Sequence, residues 1–497
     1  MSPVPPAHLQ PDAHKVPAPS ILWLRQDLRL HDQPALAAAA REGPVIPVYI
    51  LDDETPGRWA IGGAQRWWLH SSLERLGEDF ERIGSRLILR RGKADAALKR
   101  IAGETGAGRV QAVQHYEPWW RRLERQVGQE MDLVLHAGSV LAPPEQVRTG
   151  AGSPYRIYTP YWRALQAYLP PSEPLEAPLR LQPPDRWPGS DQLESWNLLP
   201  ARPNWAQGFE EAWRPGEAAA LERLDRFVEQ AEGYGTARDR PGVEGTSRFS
   251  PHLHFGELSP RLVWHRLPQE AGEKFRKELA WRDFSHNVML AQPAVGEEAG
   301  RADFAQFPWR TGREADSDFE AWSRGRTGYP IVDAGMRQLW ATGWMHNRVR
   351  MIAASFLVKH LLIDWRRGAA WFWDTLVDAD YGNNGQNWQW IAGTGVDSQP
   401  FNRIMAPILQ SRKFGAGDYI RRWVPELGAL GGDLVHEPGA ARPRDYPEPV
   451  IGHRAARERA LAALREFRTR AADRQVLNPV ASVQRDAGAS TVRETVS

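Results

Sequence analysis

The sequence predicts an α/β domain followed by a mostly helical domain. Three observations predict this: apolar runs alternate with amphipathic stretches in the first third, proline concentrates in one middle segment, and helical spacing dominates afterwards. At 497 residues the chain is too long for a single hydrophobic core, so two domains are expected. Hydrophobic content of 42% and charged content of 25% are typical of a globular protein.

The first domain, residues 20–147, is predicted to be a parallel sheet covered on both faces. Its apolar runs predict strands, and helical patterns lie between them. The predicted strands are 21–24, 44–51, 86–89, 112–114 and 133–136, with helices at 33–42 and 65–83. Alternation of this kind is typical of βαβ units. No Gly-x-Gly-x-x-Gly follows the first strand, so the sequence does not support a dinucleotide-binding Rossmann site.

The prolines mark a connection between the two domains. Residues 148–220 are too rich in proline for long helices and are expected to lie over the surface. Residues 221–470 form the predicted helical domain, whose helices are 218–231, 260–266, 273–290, 332–342, 346–362 and 454–470. Residues 1–19 are expected to be a flexible extension, and residues 471–497 a disordered tail.

Composition excludes several classes of protein. No apolar stretch approaches the roughly 20 residues that a membrane helix needs, and the N-terminal segment lacks a secretory pattern. The absence of cysteine excludes disulfides and thiolate metal sites and fits a reducing compartment, so a cytoplasmic protein is expected. A net charge of +2 indicates little about partners. No zinc motif or catalytic triad is apparent, and no metal site is predicted.

Two predicted helices carry polar residues at matching spacing. Glu278, Trp281 and Arg282 lie at i, i+3 and i+4, so they share one face. This face is either a polar binding wall or a surface with an ordinary Glu–Arg pair. Asn347 and Arg350, with Met351, repeat the spacing within an apolar run, which favours the binding wall. A chain with 23 Trp and such polar residues in its core suits a large aromatic cofactor and electron transfer through indole rings.

Two further segments offer ligand-binding groups. Asp378–Gly385 carries two carboxylates and two amides, which suit a metal, a heterocycle or a simple turn, although the spacing does not match a calcium loop. Gly245–Pro251 offers three hydroxyls and backbone N–H groups before a predicted helix. Such groups suit a diphosphate, although Ser and Thr also act as ordinary helix caps.

Taken in order, these segments resemble the photolyase/cryptochrome family, and most of all its class I cyclobutane pyrimidine dimer photolyases. The similarity begins at Trp23–Asp32, continues through Gly245–Pro260 and Glu278–Phe284, and runs from Gly325 almost unbroken to Arg422. The stretch from Thr327 to Met351 is its most specific part. The resemblance covers most of residues 20–470 and makes residues 20–147 an antenna-type domain.

The resemblance implies a flavin enzyme, with FAD folded inside the helical domain at the bottom of a cavity for one damaged dinucleotide. Arg350 and Asp378 match a salt-bridged pair beside the isoalloxazine ring, and Asp380 and Asn384 match groups at the flavin's N3 and N5 edges. The full set of implied flavin-binding residues is Tyr234, Thr246, Ser247, Phe249, Ser250, Arg282, Asn347, Arg350, Asp378, Asp380 and Asn384.

The implied reaction is light-driven repair of UV-damaged DNA. Excited reduced flavin gives an electron to a flipped-out cyclobutane dimer, the ring splits, and the electron returns. Glu278 would hydrogen-bond the dimer as a protonated acid, and the implied dimer-contacting residues are Glu278, Trp281, Asn347, Met351 and Trp390. Trp388, Trp365 and Trp309 match an electron-hopping chain, and Arg238, Arg348 and Arg403 match phosphate contacts. The protein is expected to act as a monomer.

The match fails at the antenna site. Folate-binding relatives place Asn-Glu soon after a Tyr-Glu pair, whereas here Tyr116-Glu117-Pro118 is followed by Trp119-Trp120. A deazaflavin antenna is therefore favoured over folate, and an empty site is the alternative. Two other functions remain open. A cryptochrome shares the fold and the flavin, and a (6-4) photoproduct enzyme relies on histidines in the region that here reads Asn347 and Met351.

Overall fold

The computed structural model describes residues 17–270, 272–398 and 404–477. Its N-terminal part contains a five-stranded sheet in which every neighbouring pair is parallel. The strands are β1 (Ser20–Leu24), β2 (Val45–Leu51), β3 (Ile88–Arg91), β4 (Arg109–Val113) and β5 (Asp132–His136), in the order β3-β2-β1-β4-β5. The predicted α/β fold class is therefore confirmed, with strand ends shifted by a few residues.

The described residues form eighteen α-helices. Those of the α/β domain are α1 (Pro34–Glu42), α2 (Gly63–Arg82), α3 (Ala94–Thr105) and α4 (Pro118–Glu130). The connection holds α5 (Tyr158–Leu165) and α6 (Gln207–Ala212). The remainder comprises α7 (Glu217–Ala237), α8 (Ser250–His254), α9 (Pro260–Arg266), α10 (Glu273–Ala291), α11 (Arg313–Ser323), α12 (Pro330–Thr342), α13 (Asn347–Ser355), α14 (Trp365–Thr375), α15 (Tyr381–Ala392), α16 (Pro407–Lys413), α17 (Gly417–Trp423) and α18 (His453–Leu477).

Strand β1 shows why its sequence is continuously apolar. Successive side chains of a strand point to opposite faces of the sheet. Ile21 and Trp23 lie in the core on one face, whereas Leu22 and Leu24 lie in the core on the other, and all four are fully buried. A strand covered on both faces has no solvent-facing position, so it carries no alternating polar residues.

The loop after β1 joins the two domains. The Leu28 N–H donates to the Phe255 carbonyl at 3.0 Å, and Arg29 Nη1 donates to the Gly256 carbonyl at 2.9 Å. Gly256 has a φ of +68°, and a side chain there would overlap the Gln26 carbonyl oxygen. Glycine therefore permits the close approach that fixes the helical domain against the sheet. The hydrophobic cores also combine residues from both domains.

Two predicted helices differ from the structure. The helix expected over 346–362 ends as α13 at Ser355, and a π-helical turn follows over Phe356–His360, where the Leu361 N–H donates to the Phe356 carbonyl at 3.0 Å. The apolar periodicity does not distinguish a π turn from a continued α-helix. Helix α18 runs to Leu477, beyond the predicted end at residue 470. Within the described part of the chain, no helix combines the length and apolar character that crossing a bilayer requires.

Candidate active site

The residues predicted to carry the chemistry lie mainly on α10, α13 and α15. Helix α15 packs against both α10 and α13. Helix α10 contributes Glu278, Trp281 and Arg282, while α13 contributes Asn347 to Met351. Folding therefore brings together segments that are about 70 to 110 residues apart in the sequence.

Glu278 forms an ion pair with Arg238, which follows the end of α7. Their side chains are 32% and 11% exposed. The Arg238 guanidinium also lies 5.3 Å from the centre of the Tyr234 ring. The sequence predicts separate roles for the acid and the arginine, in the dimer site and on a phosphate. In this structure the two are direct partners.

Arg348 has a similar arrangement. Its Nη2 donates to Asp239 Oδ1 at 2.6 Å, and its Nη1 lies 3.7 Å from the Met351 sulfur. Burial acts to raise the pKa of Asp239, but the hydrogen bond and charge of Arg348 outweigh it and hold the pKa below its usual value. Both predicted phosphate-binding arginines that the structure describes are thus neutralised by carboxylates. The third, Arg403, lies outside the described residues.

The residues predicted to contact the dimer differ in how exposed their side chains are. The Trp281 side chain is 38% exposed, Trp390 and Met351 are half-buried, and Asn347 is exposed. The prediction that Asn347 lies in a polar core is therefore wrong. Asn347 is the first residue of α13 and is exposed although its neighbours His346 and Val349 are buried, which periodicity within an apolar run does not reveal.

Arg350 and Asp378 form the ion pair that the family resemblance implies. Arg350 Nη1 and Nη2 donate to the two carboxylate oxygens at 3.1 and 2.8 Å, and the Asp378 side chain is 1% exposed. Arg350 Nε donates to the Met345 carbonyl at 2.7 Å. Nearby, Trp344 Nε1 donates to Ser250 Oγ at 3.3 Å. These contacts tie α13 to the segment before α15, and the Trp344 segment to Ser250, the first residue of α8.

Asp380 and Asn384 begin helix α15. Asp380 Oδ1 caps the helix by accepting from the Asn383 N–H at 2.7 Å, so the later part of the Asp378–Gly385 segment begins a helix, while Asp378 lies in a turn. Asn384 Nδ2 donates to the Ala369 carbonyl at 3.0 Å. Asp380 Oδ2 and Asn384 Oδ1 accept no hydrogen bond from the residues that the structure describes.

The hydroxyl-rich segment, residues 245–251, leads into the short helix α8 and is partly exposed. Thr246 and Ser247 are half-buried, Ser250 is exposed, and the helix that follows, α8, has five residues. The aromatic rings of Tyr234 and Phe249 both pack against Phe227 and Phe275, with centroids 5.0 to 5.6 Å apart. The hydroxyls of this segment therefore lie beside a rigid aromatic cluster.

Arg282 joins the helical domain to the α/β domain. It donates to the Ser139 carbonyl at 2.5 Å and to the Leu253 carbonyl at 3.5 Å. The next residue, Asp283, accepts the Leu141 N–H at 2.8 Å, and complete burial raises the pKa of its carboxyl to about 7. These contacts fix helix α10, and with it Glu278 and Trp281, relative to the sheet.

The donor and acceptor set fits a flavin nucleotide. Hydroxyls and backbone N–H groups over 245–250 suit a diphosphate, because the segment offers donors without carboxylates. The free oxygens of Asp380 and Asn384 suit the N–H donors of a flavin ring edge. Arg350 and Asp378 already satisfy each other, so together they present a neutral pair to the site.

The three tryptophans of the predicted electron route lie in different surroundings. Trp388 is buried on α15, with its ring centroid 6.2 Å from that of Trp322 and 5.0 Å from that of Phe372. A side chain on Gly368 would overlap the Trp388 ring, so glycine permits this packing. Trp365 is fully buried, and Trp309 is half-buried. Among the described residues, no ring contact joins these three directly.

Trp119 and Trp120, which stand where folate ligands are absent, both pack against other aromatic rings. Trp119 is buried, and its ring lies 4.9 Å from the Tyr381 ring of the helical domain. Trp120 packs on Trp23 at 6.4 Å. A cavity of about 600 Å³ lies elsewhere, between α2 and the segment from α6 to α7, and none of the predicted site residues line it.

Three neighbours of the site were not predicted from the sequence. Asp239 pairs with Arg348, and Tyr158 stacks on Trp281. His346 caps α13, and burial lowers its pKa to about 4. Tyr158 belongs to the connection, where prolines dominate the pattern. The four aromatic residues Tyr155, Tyr158, Tyr161 and Trp162 were the available signal that part of this connection is packed.

Replacing Asp378 by asparagine is expected to lower the free energy of unfolding by about 3 kcal/mol, because Arg350 would lose its carboxylate in a mostly buried setting. Urea unfolding followed by circular dichroism measures this. Asp316→Asn is the control, since its pair with Arg367 is largely exposed and is expected to contribute less than about 1 kcal/mol. An equally small loss in both variants would contradict a structural role for the Arg350–Asp378 pair.

Comparison with known proteins supports a flavin-binding site in this chain. Residues 20–179 match the family described as DNA photolyase, and residues 275–466 match the FAD binding domain of DNA photolyase. The chain is 46% identical to a deoxyribodipyrimidine photo-lyase of Agrobacterium fabrum, over 90% of this chain and 97% of that protein. It is 35% identical to Cryptochrome-1 of Arabidopsis thaliana, over 90% of this chain and 70% of that protein.

A solved structure gives the same result for the fold. A bacterial class III photolyase from Agrobacterium tumefaciens superposes with a TM-score of 0.87 and 45% identity, covering 93% of this chain and all of the other. The matches therefore extend over both domains and the connection. The chain belongs to the photolyase/cryptochrome family, carries that family's FAD-binding domain, and is an enzyme of the photo-lyase kind.

Proposed function

We propose that this protein repairs cyclobutane pyrimidine dimers in DNA by means of light. FAD, when bound in its reduced form, supplies the electron that splits the cyclobutane ring and receives it back. The observation that supports this best is the group formed by Glu278, Arg238 and Trp281. Arg238 pairs with Glu278, and Glu278 lies one helical turn from the exposed Trp281 ring, so a cation, an acid and a ring that could stack on a base lie close together.

DNA binding would separate the Glu278–Arg238 ion pair. A phosphate beside the lesion competes for Arg238, because a guanidinium forms strong paired hydrogen bonds with phosphate oxygens. Once Arg238 turns to the phosphate, Glu278 loses its counter-ion and faces the dimer. Glu278 is then free to form a hydrogen bond with the dimer. The hydrogen bond from Glu278 to the dimer that the family resemblance implies stays a prediction.

The remaining residues hold the lesion. The dimer must leave the duplex to be reached, at a cost that weakened base pairing lowers. Trp281 and Trp390 would stack on it, while Asn347 and Met351 line the rest of the wall. Arg348 and Arg403 would bind phosphates, which supplies salt-dependent affinity without base readout.

Eleven residues are proposed to hold FAD. The hydroxyl-rich segment and the two aromatic rings beside it would bind the diphosphate and ribityl chain, and the helix-borne polar residues would bind the ring system. They are Tyr234, Thr246, Ser247, Phe249, Ser250, Arg282, Asn347, Arg350, Asp378, Asp380 and Asn384. Trp388, Trp365 and Trp309 are proposed to conduct electrons from the surface to oxidised flavin.

The antenna chromophore, the oligomeric state, the location and the photolyase subgroup are also proposed. A deazaflavin antenna is favoured over folate because Trp119 and Trp120 replace the folate ligands. The protein is proposed to be a cytoplasmic monomer that acts on UV-damaged DNA. The class I likeness stays a prediction, and the 45% identity to a class III photolyase makes class III the alternative subgroup.

A cryptochrome is the second candidate function, favoured by the 35% identity to Cryptochrome-1. A photoreceptor shares the fold and the flavin but signals through a partner protein. The presence of Glu278, Trp281, Asn347, Met351 and Trp390 supports repair instead, because signalling through a partner does not need residues that contact a dimer.

The deciding experiment is blue-light repair of a UV-irradiated thymine oligonucleotide by anaerobically reduced protein. Light-dependent recovery of thymine absorbance, absent in the dark, would support dimer repair. A flavin-loaded protein that restores no absorbance would overturn the proposed substrate. A (6-4) photoproduct oligonucleotide and partner capture would then separate the two alternatives.

A further inference from the structure

Tyr158 covers one face of Trp281. The two rings are parallel within 6°, with centroids 3.6 Å apart. Trp281 nevertheless remains 38% exposed. Because an indole has two flat faces and Tyr158 occupies one of them, a flat ligand could stack only on the other.

Tyr158 is itself held by two other segments. Its hydroxyl donates to the Lys277 carbonyl on α10 at 3.0 Å, and its backbone N–H donates to Asp397 Oδ2 at 3.3 Å. Asp397 lies in the loop after α15, the helix that carries Trp390. The Phe284 ring also meets both the Tyr158 and the Trp281 rings edge-on at 5.8 Å. Tyr158 therefore links the helix of Trp281 to the loop that follows the helix of Trp390.

An exposed tryptophan without such support would be free to rotate. A ligand that stacks on a mobile side chain must first order it, which weakens binding by roughly 2- to 10-fold. A ring already stacked on Tyr158 is ordered before the ligand arrives. The same contact also sets the direction in which the open face of Trp281 points.

We infer that Tyr158 is a positioning residue for damaged DNA, which holds Trp281 as a preformed stacking surface and thereby favours a flipped-out dimer over undamaged DNA. This inference rests on the proposed function. It assigns part of the lesion site to the connection between the domains, where the sequence predicts surface chain. Tyr158 acts through Trp281 and is not itself in contact with the dimer.

Ordinary core packing makes a different prediction. A tyrosine that only fills space would, when removed, destabilise the protein and weaken all DNA binding equally. A positioning residue changes the ratio of affinities for damaged and undamaged DNA, and it leaves repair of an already bound dimer nearly intact. The two roles therefore separate by selectivity and by the split between affinity and repair yield.

The test compares Tyr158→Phe and Tyr158→Leu with the full-length flavoprotein. Dissociation constants are measured in the dark for a single-stranded oligonucleotide with one thymine dimer and for its undamaged counterpart. Tyr158→Leu is expected to weaken dimer binding by roughly 2- to 10-fold without changing undamaged binding, flavin content or repair yield at saturation. Tyr158→Phe keeps the ring and is expected to retain wild-type selectivity.

Tyr168→Leu is the matched control, because Tyr168 lies in the same connection and its hydroxyl also donates to a backbone carbonyl, that of Gln146 at 2.8 Å. It is expected to leave selectivity unchanged. If Tyr158→Leu does not fold, Tyr158→Met takes its place, since methionine fills the volume without a flat face. Unchanged selectivity in the folded variant, or an equal loss for both oligonucleotides, would overturn the inference. A wild-type protein that does not prefer the dimer would instead overturn the proposed function.

Discussion

Replacing Glu278 by alanine is expected to lower the yield of dimer repair by about tenfold while flavin stays bound, since a hydrogen bond involving a charged or strongly polar partner contributes about 1.5–3 kcal/mol. Glu278 is the acid closest to Arg238 and lies on the same face as Trp281, so its loss removes the group proposed to stabilise the dimer after it accepts an electron. The measurement is dimers repaired per absorbed photon by reduced protein.

The control for this variant is Glu273→Ala. Glu273 lies on the same helix, but its side chain is exposed and pairs with Lys277 one turn away. That variant is expected to repair normally. Flavin absorbance relative to protein absorbance shows whether each variant keeps its cofactor. A yield unchanged by Glu278→Ala would remove Glu278 from the mechanism, whereas a loss of flavin would mean that Glu278 holds the cofactor rather than the dimer.

Replacing Trp388 by phenylalanine is expected to block photoreduction of oxidised flavin and to spare repair once the flavin has been reduced chemically. Trp388 is buried on α15, one helical turn after Asn384, and therefore lies on the same helix face as a proposed flavin-binding residue. Phenylalanine keeps an aromatic ring in the tight space against Gly368 but is much harder to oxidise than an indole.

Two measurements separate these outcomes. Loss of oxidised-flavin absorbance under blue light, with an external reductant, reports photoreduction, and repair after dithionite treatment reports the reaction itself. Trp264→Phe on α9 is the control, because Trp264 lies beside Arg276 and outside the proposed route. Normal photoreduction in Trp388→Phe would show that electrons reach the flavin by another path, and a loss of repair after chemical reduction would assign Trp388 a structural role.

The sequence predicted the layers of the fold because their signals are local. The run from Ile21 to Leu24 is apolar on both faces of a covered strand, and apolar residues recur at three- and four-residue spacing within Gly63–Arg82, so each element could be predicted from its own residues. The Arg350–Asp378 pair was also predicted, but only from the family resemblance. A separation of 28 residues along the chain does not indicate whether Arg350 and Asp378 are in contact.

The sequence by itself determined the parallel sheet, the helical domain and the residue types available to a flavin and a damaged base, because periodicity and composition depend on neighbours along the chain. The tertiary structure alone decided the pairing of Arg238 with Glu278 and of Arg348 with Asp239, the exposure of Asn347, and the stacking of Tyr158 on Trp281. Each of these depends on how distant helices are placed against one another. The placement of the helices follows from the packing of the whole core, so no local sequence pattern predicts it.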